Sequence, residues 1–183
     1  MAIAPTLETP RLILRQQHLD DFERYWQLFG NERAARYVGG ALPRAGVWRR
    51  FLQMPGAWAL QGFGMFSVAE KRSGRWIGQA GPWQPDGWPG TEIGYALHPD
   101  AWGNGYATEA CVAAADWAFD ALGWTHVIHC IDVENTASQA VARRLGSRVL
   151  RRIDHAPPFD DLVIDVWGQS RQEWQTNRQA LLR

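Results

Sequence analysis

The stretch EIGYALHPDAWGNGYATE, from Glu92 to Glu109, determines how the rest of this chain is interpreted. It begins with a short strand-like run, residues 92–97, and passes through a loop into the small-residue turn 102–107. Alanines at helical spacing then predict a helix. A glycine-rich turn that leads into a helix leaves backbone N–H groups unpaired at the positive end of the helix dipole. The stretch therefore predicts an anion site, and phosphate is the usual ligand of such sites.

The two glycines of the turn do not by themselves identify the phosphate ligand. A dinucleotide-binding fingerprint would place a third glycine where Thr108 stands, and its helix would open directly from the strand. A loop that binds nucleoside triphosphates would end in Gly-Lys-Ser or Gly-Lys-Thr, which this stretch lacks. Both ligand classes are therefore disfavoured, and a purely structural glycine turn is the remaining alternative to an anion site.

Composition and charge narrow the class of protein. The chain has 183 residues, and we expect one domain over residues 1–183 with its core at about residues 8–174. Its 19 basic and 19 acidic residues balance, so we expect neither nucleic acid nor an anionic membrane as a partner. The sequence has no apolar run of the ~18 residues that a membrane span requires. Because it also lacks the features of a signal peptide, we expect a cytoplasmic protein.

Hydrophobic periodicity predicts strands that alternate with helices along most of the chain. The predicted strands are residues 12–15, 64–70, 76–80, 92–97, 125–133, 147–153 and 162–167. The predicted helices begin near Asp21, Pro43, Ala107, Asn135 and Arg171, and we expect the second to end near Gln53 and the last to fray beyond Trp174. This order predicts an α/β (α+β) fold with one mixed, mostly antiparallel sheet of six to seven strands and helices on both faces.

The glycine turn resembles the pyrophosphate loop of the GNAT superfamily of acetyl-CoA-dependent N-acetyltransferases. That loop follows the pattern Gln/Arg-x-x-Gly-x-Gly/Ala, and it matches Trp102-Gly103-Asn104-Gly105-Tyr106-Ala107 except at the first position. The longer run WGNGYATEA is similar to the branch that contains the ribosomal-protein N-terminal acetyltransferases. The opening ETPRLILR, from Glu8 to Arg15, is typical of the same branch.

A second motif supports this resemblance, which extends from Glu8 to about Trp174. The run NTAS, from Asn135 to Ser138, is similar to the Asn-x-x-Ser element that follows the fifth strand in this superfamily. In the superfamily two central strands splay apart, and the pantetheine arm of the cofactor lies in the gap. The resemblance therefore implies a splayed central strand pair in this chain, with acetyl-CoA as co-substrate and no metal.

The resemblance also implies which residues bind the cofactor. The backbone of the central strand would hold the pantetheine arm, the amides of the glycine turn would hold the pyrophosphate, and the helix after the fifth strand would face the arm or the thioester. In this sequence those cofactor-binding residues are Tyr95, Ala96, Leu97, Trp102, Gly103, Asn104, Gly105, Tyr106, Ala107, Asn135 and Ser138. Simple sheet packing is the alternative explanation for the small residues of the strand.

The implied reaction is direct attack of a primary amine on the thioester carbonyl. Glu92, at the start of the central strand, is the candidate general base. The alternative is a structural carboxylate that binds the acceptor or a neighbouring arginine. Many members of the superfamily have a tyrosine, which can act as the general acid, where this chain has Ala142. Either Ser138 assists the departing thiolate in this chain, or no side chain does. Neither Cys111 nor Cys130 lies in a context that predicts a reactive thiol.

The acceptor is the part of the function that the sequence leaves open. Aromatic residues of the first two helices and of the last hairpin, among them Trp26, Trp48 and Phe159, are candidates for its walls. A protein N-terminus and a small-molecule amine both remain open as acceptors. A non-catalytic module that binds or senses acyl-CoA is the alternative function, and the alanine at position 142 favours it. Exposed tryptophans would favour a homodimer.

Overall fold

The computed structural model describes residues 4–154 and 163–181, which contain eight β-strands and six α-helices. The strands are β1 (Leu7–Glu8), β2 (Leu12–Arg15), β3 (Phe66–Glu70), β4 (Trp76–Trp83), β5 (Glu92–Leu97), β6 (His126–Asp132), β7 (Arg148–Ile153) and β8 (Ile164–Ser170). The helices are α1 (Phe22–Phe29), α2 (Glu32–Ala35), α3 (Arg44–Gln61), α4 (Tyr106–Ala121), α5 (Thr136–Arg144) and α6 (Arg171–Leu181). No helix in these residues is both long enough and apolar enough to span a membrane.

The strands follow one another in the order β1-β2-β3-β4-β5-β6-β8-β7. The pair β5–β6 is parallel, whereas β1–β2, β2–β3, β3–β4, β6–β8 and β7–β8 are antiparallel. The predicted α/β fold with a mixed, mostly antiparallel sheet is therefore confirmed. The described residues hold eight strands rather than six to seven, because the two residues of β1 pair with Ile13 and Leu14. A strand this short has no periodicity that a sequence pattern could reveal.

The chain divides into two compact units, and β5 and α4 contribute residues to both. Among the described residues, the first unit holds 4–81 and 95–114. Its core consists of buried aromatic and aliphatic side chains from α1, α3, β4 and β5: Tyr25, Leu28, Phe29, Val47, Phe51, Trp76 and Ala96. Tyr25 and Phe29 lie one helical turn apart on the buried face of α1, with ring centroids at 4.4 Å.

The second unit holds residues 82–94 and 115–181 among those described. Ile131 of β6, Ala142 of α5 and Trp167 of β8 form a buried cluster in it. Helix α6 continues to Leu181, so the prediction that it frays beyond Trp174 is wrong. Its last turns are held by long-range contacts, because the Arg178 guanidinium pairs with Asp116 at 2.9 Å.

Helix α3 also differs from its prediction, since it runs past Gln53 to Gln61 with Pro55 inside it. A proline inside a helix removes one backbone hydrogen bond and usually ends the helix. Here a buried stripe continues across the proline, formed by Val47, Phe51, Met54 and Trp58. The packing of this stripe outweighs the local signal. Phe159, a candidate wall of the acceptor site, lies outside the described residues.

Candidate active site

The glycine turn adopts a backbone conformation that requires glycine at two positions. Gly103 has a φ of 77° and Gly105 a φ of 76°, both in the left-handed region. A Cβ on Gly103 would meet nothing within 4 Å, and one on Gly105 would meet only Arg11 Nη2 at 3.5 Å. Packing therefore does not explain these glycines. Their conformation turns the backbone so that it can enter α4 at Tyr106.

The backbone N–H groups of this turn are the unpaired donors that the sequence predicts. The Trp102 amide donates to the Pro99 carbonyl at 3.2 Å, and the Glu109 amide makes the first helical bond, to the Gly105 carbonyl. Between them, the amides of residues 103–108 have no hydrogen-bond partner within residues 4–154 and 163–181. Six successive donors therefore lie at the positive end of α4, which is the arrangement that binds anions at helix N-termini. The Trp102 amide is not among them.

Arg11 braces this turn, a role that the sequence did not reveal. Its Nη1 donates to the Asn104 carbonyl at 2.9 Å, and its Nε pairs with the Glu109 carboxylate at 2.6 Å. The Thr9 hydroxyl donates to the same carboxylate. Burial alone would raise the pKa of Glu109, but the Thr9 and Arg11 donors more than offset it and the net pKa is lowered. The guanidinium also adds a positive charge beside the unpaired amides.

At the end of β5, some backbone N–H and C=O groups face β4 and the others face the opposite edge of the strand. The His98 amide donates to the Ile77 carbonyl of β4 at 2.9 Å, and a Cβ on Gly78 would lie 2.4 Å from the Ala96 carbonyl oxygen. Because neighbouring residues of a strand point to opposite edges, the polar backbone groups of Leu97 face away from β4. The Trp102 indole donates to the Leu97 carbonyl at 2.8 Å, which fixes the turn against the strand end.

A groove of about 410 Å³ lies in the first unit beside His98. It is lined by residues of α1, the start of α2 and the end of β5: Trp26, Gln27, Gly30, Asn31, His98 and Pro99. Burial, reinforced by the Arg24 charge, lowers the pKa of His98, so the imidazole is neutral at physiological pH. The Arg44 guanidinium lies 4.7 Å from the Trp26 ring centroid. The groove is mainly apolar, and none of its lining residues in the described part of the chain is acidic.

Strands β5 and β6 are joined at one register position, Glu92 with Ile128, and the ladder ends there. In a continued parallel ladder the Cys130 N–H would donate to the Ile93 carbonyl. Instead the Cys130 amide donates to Glu92 Oε1 at 3.1 Å, and His129 Nδ1 lies 2.7 Å from the Ile93 carbonyl oxygen. We call this point the split. The predicted separation of the central strand pair is confirmed here.

Glu92 lies buried at the split. Its side chain is buried, and burial raises the pKa from 4.5 to about 7, although the Cys130 amide and the Trp88 indole stabilise the carboxylate. The Trp88 Nε1 donates to Glu92 Oε2 at 2.6 Å. The donors to the Glu92 carboxylate are thus the Trp88 indole and the Cys130 amide, and not the neighbouring arginine that the alternative interpretation requires. A carboxyl group with a pKa near the working pH can both accept and release a proton.

The start of α5 holds the remaining predicted site residues, Asn135 and Ser138. Asn135 caps the helix, because its side-chain oxygen accepts the Ser138 amide at 3.1 Å. This confirms the capping role that the sequence predicts for Asn135. Ala142 lies one turn further along, buried against Ile131 and Trp167. A larger side chain at position 142 would have to displace this cluster, so the position offers no acid.

The cysteines are unsuited to covalent catalysis. Cys111 is buried, and burial together with the Glu92 carboxylate raises the pKa of Cys130. A thiol must ionise before it acts as a nucleophile. Within the described residues, no three His, Cys, Asp or Glu side chains converge as a metal site would require.

The structure thus groups the predicted site residues in two sets. In the first unit, the backbone of residues 95–97 and of the turn 102–107 lie together through the bond between Trp102 and Leu97. In the second unit, Glu92 lies at the split, and Asn135 and Ser138 form the cap of α5. Sequence reasoning missed Arg11, Trp88 and His129. Only Arg11 stood in a motif, the ETPRLILR opening, and its partner lies 98 residues away.

Comparisons with known proteins agree with this geometry. The family profile described as acetyltransferase (GNAT) domain matches residues 11–148. The uncharacterized N-acetyltransferase YoaA of Bacillus subtilis (strain 168) is 30% identical over 178 residues, which cover 88% of this chain and 96% of YoaA. The crystal structure of an acetyltransferase from Agrobacterium tumefaciens is 31% identical, with a TM-score of 0.78 over 91% of this chain and 94% of that one.

A solved structure from the predicted branch has the same fold. It is a putative ribosomal-protein-serine acetyltransferase from Vibrio cholerae, with a TM-score of 0.76 and 19% identity, and the match covers 93% of this chain and 99% of that one. At this identity the likeness concerns the fold alone. The family match and the closer relatives support an enzyme that transfers acetyl groups. This chain belongs to the GNAT family of acetyltransferases.

Proposed function

We propose that this protein transfers the acetyl group of acetyl-CoA to a primary amine by direct attack, without a covalent enzyme intermediate. The observation that carries the proposal is the run of unpaired amides at residues 103–108 in front of α4. Such a run binds a diphosphate through several N–H groups at once, assisted by the helix dipole. The Arg11 guanidinium, braced on Asn104 and Glu109, adds positive charge at the same place.

The pantetheine arm of acetyl-CoA would lie along the edge of β5 that faces away from β4. Its amides can then pair with backbone groups of residues 95 and 97, which face that edge, as an added strand does. The split supports this placement because the regular ladder of β5 has already ended at Glu92. The N–H of Leu97 is the strand donor that we assign to the thioester carbonyl, since the His98 amide already donates to Ile77.

Glu92 would take the proton from the amine, directly or through water. Its pKa of about 7 suits an acceptor whose own pKa is not far above neutrality. A protein α-amino group titrates near ~7.8 and a lysine near ~10.4, so a neutral lysine amine costs about 3.5 kcal/mol more at the same pH. We therefore propose a protein N-terminus or another weakly basic amine as the acceptor.

The departing thiolate requires little help. A free thiol has a pKa near ~8.5, so the leaving group is tolerable without a strong acid. Because Ala142 is buried and apolar, we assign any assistance to Ser138 and the start of α5. The positive end of the helix dipole and the Ser138 hydroxyl both favour negative charge there.

The groove beside His98 is the candidate acceptor site. The Trp26 ring and Pro99 offer apolar surface, and Gln27 and Asn31 offer hydrogen bonds without charge. Because no lining residue within 4–154 and 163–181 is acidic, the groove disfavours polycationic acceptors such as polyamines. Trp48, another candidate wall, packs instead on Phe22 with ring centroids at 4.8 Å.

The test is a screen for thiol release from acetyl-CoA with a panel of amines. Peptides with free N-termini stand beside small amines, polyamines and lysine, and N-acetylated peptides are the matched controls. We expect release with free N-termini or small, weakly basic amines and none with the blocked peptides. Tight binding of CoA with no release for any amine would contradict the proposal and favour a non-catalytic acyl-CoA-binding module.

Two further expectations accompany this proposal. We propose a cytoplasmic location, where acetyl-CoA is available, and a homodimer as the assembled form. Exposed aromatic and aliphatic side chains, among them Trp48, Leu52 and Leu60, are consistent with a second copy as partner. Light scattering on the purified protein distinguishes a dimer from a monomer.

A further inference from the structure

Side chains satisfy the backbone groups that the split between β5 and β6 leaves without their ladder partners. The two backbone groups that would have bonded each other are the Ile93 carbonyl and the Cys130 N–H. Each is satisfied by a side chain of the opposite strand. His129, on β6, reaches the Ile93 carbonyl of β5, and Glu92, on β5, reaches the Cys130 N–H of β6.

The protonation state of His129 follows from its two neighbours. A carbonyl oxygen can only accept, so Nδ1 carries the proton that faces Ile93. The other nitrogen, Nε2, lies 3.1 Å from the Ser147 hydroxyl and accepts from it. Burial of the imidazole lowers the pKa of His129, so it stays neutral and this arrangement of donor and acceptor is fixed. The Ile93 carbonyl and the Ser147 hydroxyl, both uncharged, thus set the orientation of the imidazole ring.

Behind His129 a chain of buried amides and hydroxyls fixes the ring. The Gln169 amide donates to Ser147 Oγ at 2.9 Å, and the Asn177 amide of α6 donates to Gln169 Oε1 at 2.9 Å. Gly146 packs so closely on Asn177 that a Cβ there would lie 2.1 Å from its Nδ2. The hydrogen bonds therefore run in one direction, from Asn177 of α6 through Gln169 of β8 and Ser147, just before β7, to His129 and the Ile93 carbonyl.

We propose that His129 and Glu92 form a reciprocal clamp that keeps β5 and β6 apart, and that His129 is a positioning residue for acetyl transfer. Without the His129 donor, the Ile93 carbonyl would recapture the Cys130 N–H and the ladder would continue by one step. Glu92 would then lose the Cys130 N–H as a donor, and the cofactor arm would lose the gap. The assignment to acetyl transfer rests on the proposed function, whereas the clamp itself does not.

Two substitutions test the hydrogen bonds of the two His129 ring nitrogens one at a time. His129→Asn keeps an N–H donor near the Nδ1 position and drops the bond to Ser147. His129→Gln reaches Ser147 but leaves the Ile93 carbonyl without a donor. The clamp predicts that the Asn variant resembles the wild type, and that the Gln variant has an acetyl-CoA KM raised by about tenfold or more, as expected for the loss of one buried hydrogen bond. A general loss of folded protein would lower the apparent kcat and leave KM unchanged.

A spectroscopic readout tests the clamp without reference to activity. In an amide NMR spectrum the Cys130 signal of the wild type should shift with pH as Glu92 titrates, since its N–H donates to that carboxylate. The Asn variant should retain this pH dependence and the Gln variant should lose it. If the Gln variant does not fold, His129→Leu takes its place, because it also leaves the Ile93 carbonyl without a donor and adds no new polar group to the buried site.

The possible outcomes test the clamp and the proposed acetyl transfer separately. A Cys130 signal that follows pH equally in the Gln variant would overturn the clamp, and so would an Asn variant that behaves like the Gln variant. A clamp confirmed by NMR, in a wild-type protein that releases no thiol with any amine, would leave the clamp standing and overturn the proposed function.

Discussion

Replacing Glu92 with Gln should make the folded protein more stable relative to the wild type as the pH rises. The substitution keeps the size of the side chain and removes its titration. The Gln carbonyl can accept only from one side, so one of the Trp88 and Cys130 donors would face the new NH₂ group. This fixed penalty does not depend on pH, and the comparison therefore uses the slope with pH and not the absolute stability.

The magnitude follows from the pKa of Glu92, which burial raises from 4.5 to about 7. Between these two values the folded state holds a proton that the unfolded chain has already released. The contribution of Glu92 to stability is therefore fully present below pH 4.5 and is lost as the pH rises to about 7. At about 1.36 kcal/mol per pKa unit, the total change is roughly 3 kcal/mol.

The assay is urea unfolding of the wild type and the Glu92→Gln variant at a series of pH values between about 4.5 and 8. Other titrating groups are common to both proteins and cancel in the difference. The wild type should lose about 3 kcal/mol relative to the variant across this range. A difference that stays constant within about 0.5 kcal/mol, or one that changes in the opposite direction, would show that Glu92 is ionised throughout and is not a base with a pKa near neutrality.

Three further predictions concern the turn and the split. Arg11→Ala should lower the affinity for CoA by about tenfold at low salt, as measured by calorimetry. The control is Arg44→Ala, which removes an exposed ion pair with Glu23 and should leave the CoA affinity unchanged. Gly103→Ala should destabilise the fold by about 1 kcal/mol in urea unfolding, because alanine is strained at a φ of 77°, and an unchanged midpoint would contradict the turn geometry. Trp88→Phe removes one donor to the Glu92 carboxylate and should move the acidic limb of the pH–rate profile upward by about one pH unit.

The sequence predicted most elements of the fold because their periodicity is local. The strand at Glu92–Leu97 and the helix that begins after Asn135 are confirmed, since alternation and a capping residue are visible in a few neighbouring positions. The exceptions are held by distant contacts. Helix α6 extends beyond Trp174 through the Arg178–Asp116 pair, and α3 continues past Pro55 on its buried stripe.

In the candidate site, too, features set by neighbouring residues could be predicted from the sequence and features set by distant contacts could not. The unpaired amides of the turn could be anticipated because two glycines before a helix dictate them locally. The protonation properties of Glu92 could not, since burial and the Trp88 indole come from the fold. His129 was predicted only as one residue of a strand face. Its role at the split depends on Ile93 and Ser147, which lie 36 and 18 residues away.

The measurement that tests the central claim most directly is calorimetric titration of CoA into the wild type and the Gly105→Trp variant, with pantetheine as a ligand that lacks the diphosphate. A Cβ at Gly105 meets open space apart from Arg11, so the indole would cover the amides, and at a φ of 76° it would also strain the turn, without entering the core. The account predicts that CoA binding is lost in the variant while any weak affinity for pantetheine is kept. Unchanged CoA affinity in Gly105→Trp would contradict the placement of the diphosphate at residues 103–108.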